Sequence, residues 1–312
     1  MVPKKVLVIG DIIYDRYVYV KTERMSQEAS DVPIYDVEEE DEVRLGGAAN
    51  VAANIQALGG DEVEVYVSGI CGVGEQYEMT HHGLIPNRCY ASRDRMEKCR
   101  FIDGATHIFR VDNRKKFSSS DVCIFEDKME RTTFDFDAVI FSDYDKGTIT
   151  KSIVKKAIES DALVIVDSKR PCLSMYRGAD VLTFNLEEFS HQIYRSEYPY
   201  VEELFKYVVI TMGAAGARLH WIDSIDTSIP PGVVKGRYKV SSMEFEATDI
   251  DDVVDTTGCG DTHTAAITMG LLRDPGNIID SIIYANKCAA IAVQRFGTTR
   301  VSKWDLSKAS AE

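Results

Sequence analysis

The chain lacks most of the short signatures that announce a chemistry. It has no GxxxxGK, no GxGxxG, no CxxC pair and no HExxH or HxGH array. Those gaps remove a Walker-type phosphate loop, a dinucleotide-binding turn, a zinc ribbon, a zinc protease and an HxGH nucleotidyltransferase. The seven cysteines (71, 89, 99, 123, 172, 259 and 288) are odd in number and too scattered for a disulfide framework, which suits a reducing cytoplasm. No apolar run approaches the roughly 18 residues of a membrane span. The opening run Val6–Ile9 reaches an acid at Asp11, too soon for a secretory signal. Positive charge is scarce: 36 Lys and Arg stand against 50 Asp and Glu, a net charge of −14. No basic footprint for nucleic acid follows from that balance, so an anionic ligand must be met locally.

Length and patterning supply the frame. A chain of 312 residues, 45% hydrophobic, can bury a sizeable core and suggests either two domains or one large α/β domain with an attached lid. Continuously apolar, β-branched runs at 6–9, 63–67, 139–141, 163–166, 181–184 and 208–211 read as parallel strands buried on both faces. Helical patterns at 47–58, 152–159, 186–194, 262–272 and 278–295 alternate with them, which predicts a three-layer, doubly wound, mostly parallel sheet. Residues 17–38 and 98–111 alternate polar and apolar instead, and predict antiparallel strands of a small β lid, placed within 12–45 and 97–113 of a single domain over 1–312. The acidic run Glu38–Glu42 reads as a charged lid turn or edge.

The richest segment is Asp255-Thr-Thr-Gly-Cys-Gly-Asp-Thr262, read as following a strand at 251–254 and opening a long helix. Gly258 and Gly260 let the backbone of 258–260, with Cys259 between them, turn its N–H groups and the helix N-terminus toward a developing negative charge. Asp261, in the first helical turn, is then placed to take a proton from a hydroxyl that attacks a phosphoryl group. A capped helix after a glycine-rich turn is the plainer alternative.

This segment resembles the Asp-Thr-x-Gly-Ala-Gly-Asp signature of the ribokinase-like (PfkB) carbohydrate kinases. Gly10-Asp11-Ile-Ile-Tyr-Asp15, Ser26-Gln-Glu28-Ala, Gly46-Gly-Ala-Ala-Asn-Val-Ala-Ala-Asn54, Ser142-Asp-Tyr-Asp-Lys-Gly147, Tyr176-Arg-Gly178, Asn185-Leu-Glu-Glu188 and Phe296-Gly-Thr298 resemble its heptose 7-phosphate kinase branch. The resemblance runs over about residues 6–302. It implies ATP-dependent phosphorylation of the anomeric hydroxyl of D-glycero-β-D-manno-heptose 7-phosphate to the 1,7-bisphosphate, with Asp261 as general base.

Several side chains then acquire expected roles. Asp11 and Asp15 stand past the carboxyl end of the first strand, where open α/β sheets bind ligands, and family members use such acids on sugar hydroxyls. Gly46 and Gly47 permit close approach of a sugar; Asn50 and Asn54 share a helix face, Asn50 the stronger candidate, with a tightly packed helix as the alternative. Asp143 and Lys146 put a carboxylate and an ammonium at one sheet edge, for hydroxyls and phosphate or equally as a solvated ion pair. Lys98, Arg100 and Arg110 are lid candidates for the substrate phosphate, whereas Arg114–Lys116 reads as a solvated loop. The family organises Mg²⁺ through Asn-x-x-Glu, which places Glu188 near the ion through water and Asn185 beside the nucleotide; Asn185 is also simply a good N-cap. Lys169, Thr211, Gly213, Gly216 and Asn286 match nucleotide-side positions, and Asp255 marks the loop where related kinases hold a monovalent cation such as K⁺.

Departures from the family pattern are Cys259 for Ala, Ser26-Gln-Glu-Ala-Ser30 without its prolines, Ser168 after Asp167, and Phe184 before Asn185. A backbone anion hole tolerates Cys259, and His263 reads as packing or capping. The expectations are a cytoplasmic kinase that binds a sugar phosphate and ATP, without nucleic-acid or membrane partners, and forms a homodimer through its lid. A nucleotidyltransferase domain is not expected on this chain, so a separate protein is expected to perform that step. A kinase of the same fold for another sugar or nucleoside, and a silent sugar-phosphate sensor, are the alternatives.

Overall fold

The computed structural model describes residues 2–28, 31–38, 41–104, 106–113, 116–195, 201–226, 228, 238–250 and 252–309, with the side chains of 22–23 and 192–195 left aside. In chain order the strands are β1 (Lys4–Gly10), β2 (Ile12–Met25), β3 (Pro33–Val37), β4 (Glu42–Gly47), β5 (Val63–Ser68), β6 (Ile70–Gly72), β7 (Ile85–Pro86), β8 (Tyr90–Ser92), β9 (Glu97–Asp103), β10 (Thr106–Asp112), β11 (Ala138–Asp143), β12 (Leu163–Ser168), β13 (Ala179–Asn185), β14 (Phe205–Thr211), β15 (Ala217–Ile225) and β16 (Tyr238–Phe245). The α-helices are α1 (Ala48–Gly59), α2 (Glu75–His81), α3 (Ser119–Glu130), α4 (Lys151–Ile158), α5 (Leu186–Arg195), α6 (Cys259–Arg273), α7 (Ile278–Ala292) and α8 (Lys303–Ala309).

The main sheet runs β16-β15-β14-β13-β12-β11-β1-β5-β7. From β14 to β7 every pairing is parallel, while β15 and β16 add an antiparallel edge. The apolar runs of β1 and β11 are buried throughout because helices cover both faces. One core layer joins the sheet to α1, α6 and α7, the other to α3 and α4. Helix α1 carries Ala48, Ala49, Ala52 and Ala53, all buried, and these small side chains let it lie close against α6. Ile55 and Leu58 are fully buried on the same helix, so truncating Leu58 to Ala costs about 2–5 kcal/mol.

A second sheet forms the lid, in the order β10-β9-β2-β3, with β4 also paired to β2. Its geometry departs from the antiparallel expectation at one place: β2 and β9 run parallel over Tyr14–Tyr19 and Glu97–Ile102. Fourteen residues of β2 pair in turn with β4, β9 and β3, so its central part is flanked on both sides and Tyr14 and Tyr17 are buried. The acidic run joins β3 to β4, where Asp41 pairs with Arg16; residues 39–40 lie outside the described residues, as do Ala29, Ser30, Arg114 and Lys115.

One predicted strand is absent. Residues 252–254 pair with no strand, and instead the N–H groups of Val254 and Asp255 both donate to the Val293 carbonyl (2.8 and 3.1 Å) at the end of α7. The expected helix over 278–295 accordingly stops at Ala292. Among the described residues no helix is long and apolar enough to cross a membrane.

Candidate active site

Helix α6 is capped at its N-terminus by Gly258, whose φ of 77° lies in the left-handed region. A Cβ there would also stand 2.8 Å from Asn50 Nδ2, so glycine is required by conformation and by proximity. The Cys259 N–H donates to the Thr256 carbonyl (3.2 Å) and the Thr262 N–H to Gly258 (3.0 Å), while the N–H groups of Gly260 and Asp261 find no acceptor among the described residues. Of the three amides expected to form an anion hole over 258–260, that of Cys259 is thus engaged, while those of Gly258 and Gly260, with Asp261 next to them, meet no acceptor among the described residues at the positive end of the helix.

Asp261 is 5% exposed, with one donor on each carboxylate oxygen: Asn50 Nδ2 to Oδ2 (2.8 Å) and the Tyr144 hydroxyl to Oδ1 (3.1 Å). Burial raises its pKa, opposed by Asn50, Lys169, Tyr144 and Lys98, so it is a stronger base than a free aspartate. Asn54 settles which way Asn50 points. Its amide donates to Asn50 Oδ1 (3.2 Å) and to the Asn50 carbonyl (3.0 Å), which turns Asn50 Nδ2 toward Asp261. Asn54 Oδ1 accepts from Val301 and Thr262, so it is a brace rather than a ligand group. The Cys259 thiol is raised to about 11 by burial and lies toward the Ala289 carbonyl (3.9 Å), which leaves it protonated and no nucleophile.

A cavity of about 930 Å³ opens from Asp261 along the carboxyl ends of the strands. Lys169, Asn185, Glu188, Thr211, Gly213, Gly216, Gly258, Cys259, Gly260 and Asn286 all line it, so the expected nucleotide-side residues converge. Asn185 and Glu188 form a reciprocal capping box at the start of α5: the Glu188 N–H donates to Asn185 Oδ1 (2.8 Å) and the Asn185 N–H to Glu188 Oε2 (3.0 Å). Lys169 donates to Glu188 Oε1 (2.7 Å). Among the described residues no group of three His, Cys, Asp or Glu side chains gathers around a metal-sized space. Asp255 is tied into its own turn, accepting from Thr257 at Oδ1 (2.9 and 2.8 Å) and from the Gly297 N–H at Oδ2 (2.9 Å).

On the lid side, strand alternation places Asp15 and Tyr17 of β2 and Lys98 and Arg100 of β9 on one face. Asp15 and Arg100 form a buried ion pair, and the partly buried Lys98 ammonium stands 5.0 Å from the Tyr144 ring centre. Burial lowers the Lys98 pKa against the pull of Asp15 and Asp261. At Gly46 a Cβ would collide with the Asp15 carboxylate, and Gly47 takes φ 55° to start α1.

Four expected ligand residues also make contacts within the protein, although Asp11 Oδ1 is buried with no partner among the described residues. Asp143 is fully buried and bound by Arg170, by the Tyr176 hydroxyl (2.5 Å) and by Ser168 (3.3 Å), a node that ties β11 to β12. The Lys146 main-chain N–H donates to Asp11 Oδ2 (3.1 Å). Asp11 is itself fully buried and also accepts from the Tyr144 N–H (2.8 Å), so it holds the 144–146 loop; burial and Asp143 push it to about 6. Arg110 is exposed on the outer lid strand and pairs with Asp112 (2.7 Å). Tyr144 and Asp167 were given no role from the sequence and line the cavity, as does His263, read as packing or capping, whose Nε2 meets Asn286 Oδ1 (3.2 Å). Tyr144 lay inside a quoted motif and Asp167 ended a recognised strand, so position relative to strand ends was the available signal.

A family model described as pfkB family carbohydrate kinase matches residues 3–305. The chain belongs to the pfkB family of carbohydrate kinases. It is a phosphotransferase with a hydroxyl acceptor. It is 31% identical over 315 residues to the "Bifunctional protein HldE" of Vibrio cholerae, across 97% of this chain and 63% of that protein; the chain thus spans under two thirds of that relative's length. Arabidopsis thaliana ribokinase complexed with ribose and ATP superposes with a TM-score of 0.65 at 17% identity, covering 99% of this chain and 98% of that one. Escherichia coli phosphofructokinase-2 in complex with potassium does so at 0.67 and 14%, covering 100% and 99%. These two proteins and the chain share the ribokinase fold, with its large mostly parallel sheet between helical layers.

Proposed function

We propose that this pfkB kinase transfers the γ-phosphoryl group of ATP to the anomeric hydroxyl of D-glycero-β-D-manno-heptose 7-phosphate. The observation that carries the reading is the Asp261 carboxylate, held by Asn50 and Tyr144 at the inner end of the cavity with free N–H groups beside it. Asp261 takes the hydroxyl proton as the oxygen attacks phosphorus, and the amides of Gly260 and Asp261 face the charge that develops on the transferring group. ADP leaves with the electrons of the broken P–O bond, and Lys169 lies on the nucleotide side to balance its phosphates.

The substrate class rests on the motifs shared with the heptose 7-phosphate kinase branch and on the lid cations. Lys98 reaches the body from β9, over the Tyr144 ring, and supplies positive charge on a chain of net charge −14, while Arg100 beside it is already paired with Asp15. Asp15, Gly46 and Asn50 complete the sugar side. Glu188 and Asn185 would hold Mg²⁺ through water, and the ion would supply charge neutralisation for the phosphates when bound. A monovalent cation beside Asp255 is a further proposal, supported by the family resemblance of the Asp255 loop.

The outer lid face bears stacked Phe101 and Phe109 (4.3 Å between centres) and exposed Val111 and Val43. A homodimer through this face would cover it; Phe109→Glu is then expected to give a monomer in sedimentation velocity. The test of function is a coupled ADP-release assay with heptose 7-phosphate, fructose 6-phosphate, ribose and adenosine as acceptors. Preference for heptose 7-phosphate by at least about tenfold in kcat/KM, roughly 1.4 kcal/mol, is expected. Preference for another acceptor overturns the substrate and leaves the kinase assignment intact.

A further inference from the structure

Tyr144 sits where three parts of the molecule meet. Its main-chain N–H donates to the buried Asp11 at the end of β1, and its hydroxyl donates to Asp261 at the start of α6. Over its ring stand two ammonium groups, Lys98 from lid strand β9 at 5.0 Å and Lys169 after β12 at 4.9 Å. We propose that Tyr144 is a positioning residue for phosphoryl transfer, whose hydroxyl fixes the orientation of the base while its ring holds the lid lysine and the nucleotide-side lysine beside it.

The physics follows from the parts. With Asn50 alone on Oδ2 the carboxylate keeps freedom about its Cβ–Cγ bond; a second donor on Oδ1 fixes its plane and leaves the remaining lone pairs for the incoming hydroxyl. A hydroxyl donated to a carboxylate also favours the ionised form, against the effect of burial. Two ammonium groups repel each other, and an electron-rich ring face attracts both, so the ring lets them approach one site from different elements. Lid and base are thereby joined through one side chain. The groups facing Asp261 are Asn50 of α1, Tyr144 of the β11 loop, the ammonium groups of Lys98 and Lys169, the Asp167 carboxylate of β12 and the Cys259 thiol of its own turn.

The inference rests on Asp261 being the base, and the experiment separates the two. Tyr144→Phe, Tyr144→Leu and Asp261→Asn are compared in the ADP-release assay with heptose 7-phosphate, or with whichever acceptor of the panel turns over, between pH 5 and 9. Tyr144→Phe keeps the ring and removes the donor. Its acid limb in kcat/KM is expected to move up by roughly half to one pH unit, and its plateau kcat to fall about tenfold with little change in the KM for ATP. Tyr144→Leu loses the ring as well, and is expected to show the same limb shift with several-fold higher KM for both substrates. Circular dichroism checks that each is folded, and the shift is read in both variants. An unmoved acid limb and a kcat within twofold of the parent in Tyr144→Phe overturns the role of Tyr144 if Asp261→Asn is inactive. Full turnover by Asp261→Asn overturns the base assignment instead.

Discussion

At the scale of single residues, Asp261 is a buried acid surrounded by donors, and its consequences are kinetic. Replacing it by Asn keeps the shape and the bond to Tyr144 while removing the proton acceptor, and ADP release is expected to fall by about 10²–10⁴-fold with the fold intact by circular dichroism. Other buried acids act on stability. Burial raises Asp11 to about 6 and both Asp167 and Glu75 to about 7. These folded values lie above the roughly 4 of an unfolded carboxyl, so the folded state binds more protons in between. The stability they contribute is fully present below about pH 4 and is lost as the pH rises through 6 to 7. The thermal midpoint of the ligand-free protein is therefore expected to rise as the buffer goes from pH 8 to 5.5. Asp167→Asn should flatten that slope; an unchanged slope would mean that Asp167 titrates as an ordinary acid.

At the scale of elements, the start of α6 and the inner lid strands are the sensitive places. Gly258→Ala meets both a left-handed φ and the Asn50 amide, so a cost of about 1–3 kcal/mol in chemical denaturation and a loss of turnover larger than that of most stability-matched variants are expected. Asp15→Ala strands the buried Arg100 guanidinium in the lid and is expected to cost about 3–5 kcal/mol, part of which Asp15→Leu combined with Arg100→Met should restore. The strands and helices of the main layers were legible because their apolar runs and 3.6-residue periods agree with burial on two faces and on one. The absent strand at 252–254 shows the limit: Val253 and Val254 look like sheet residues, yet both are exposed, and the backbone there is anchored by the Val293 carbonyl. The antiparallel strands β15 and β16 went unread because their sequences carry mixed polarity and much of each is solvated.

At the scale of the whole molecule, lid and body close around one charge arrangement. Neutralising Lys98 to Gln is expected to raise the KM for a phosphorylated acceptor far more than that for its unphosphorylated counterpart, and the KM for the phosphorylated acceptor should also climb with ionic strength. Equal effects on both acceptors would argue that Lys98 serves the ATP side alone. The amino-acid order by itself determined the layered α/β architecture, the lid segments, the glycine-rich turn before α6 and the placing of Asp261 within its first turn. Each depends on local periodicity, on backbone freedom or on adjacency along the chain. Only tertiary structure decided which charged groups are available. Asp143 became a brace between β11 and β12 and one oxygen of Asp11 a support for the 144–146 loop, whereas Tyr144, plain in the sequence, came to touch Asp261, Lys98 of the lid and Lys169. Partners more than a hundred residues apart made those assignments, and a hydrogen bond between distant residues leaves no periodic trace in the chain.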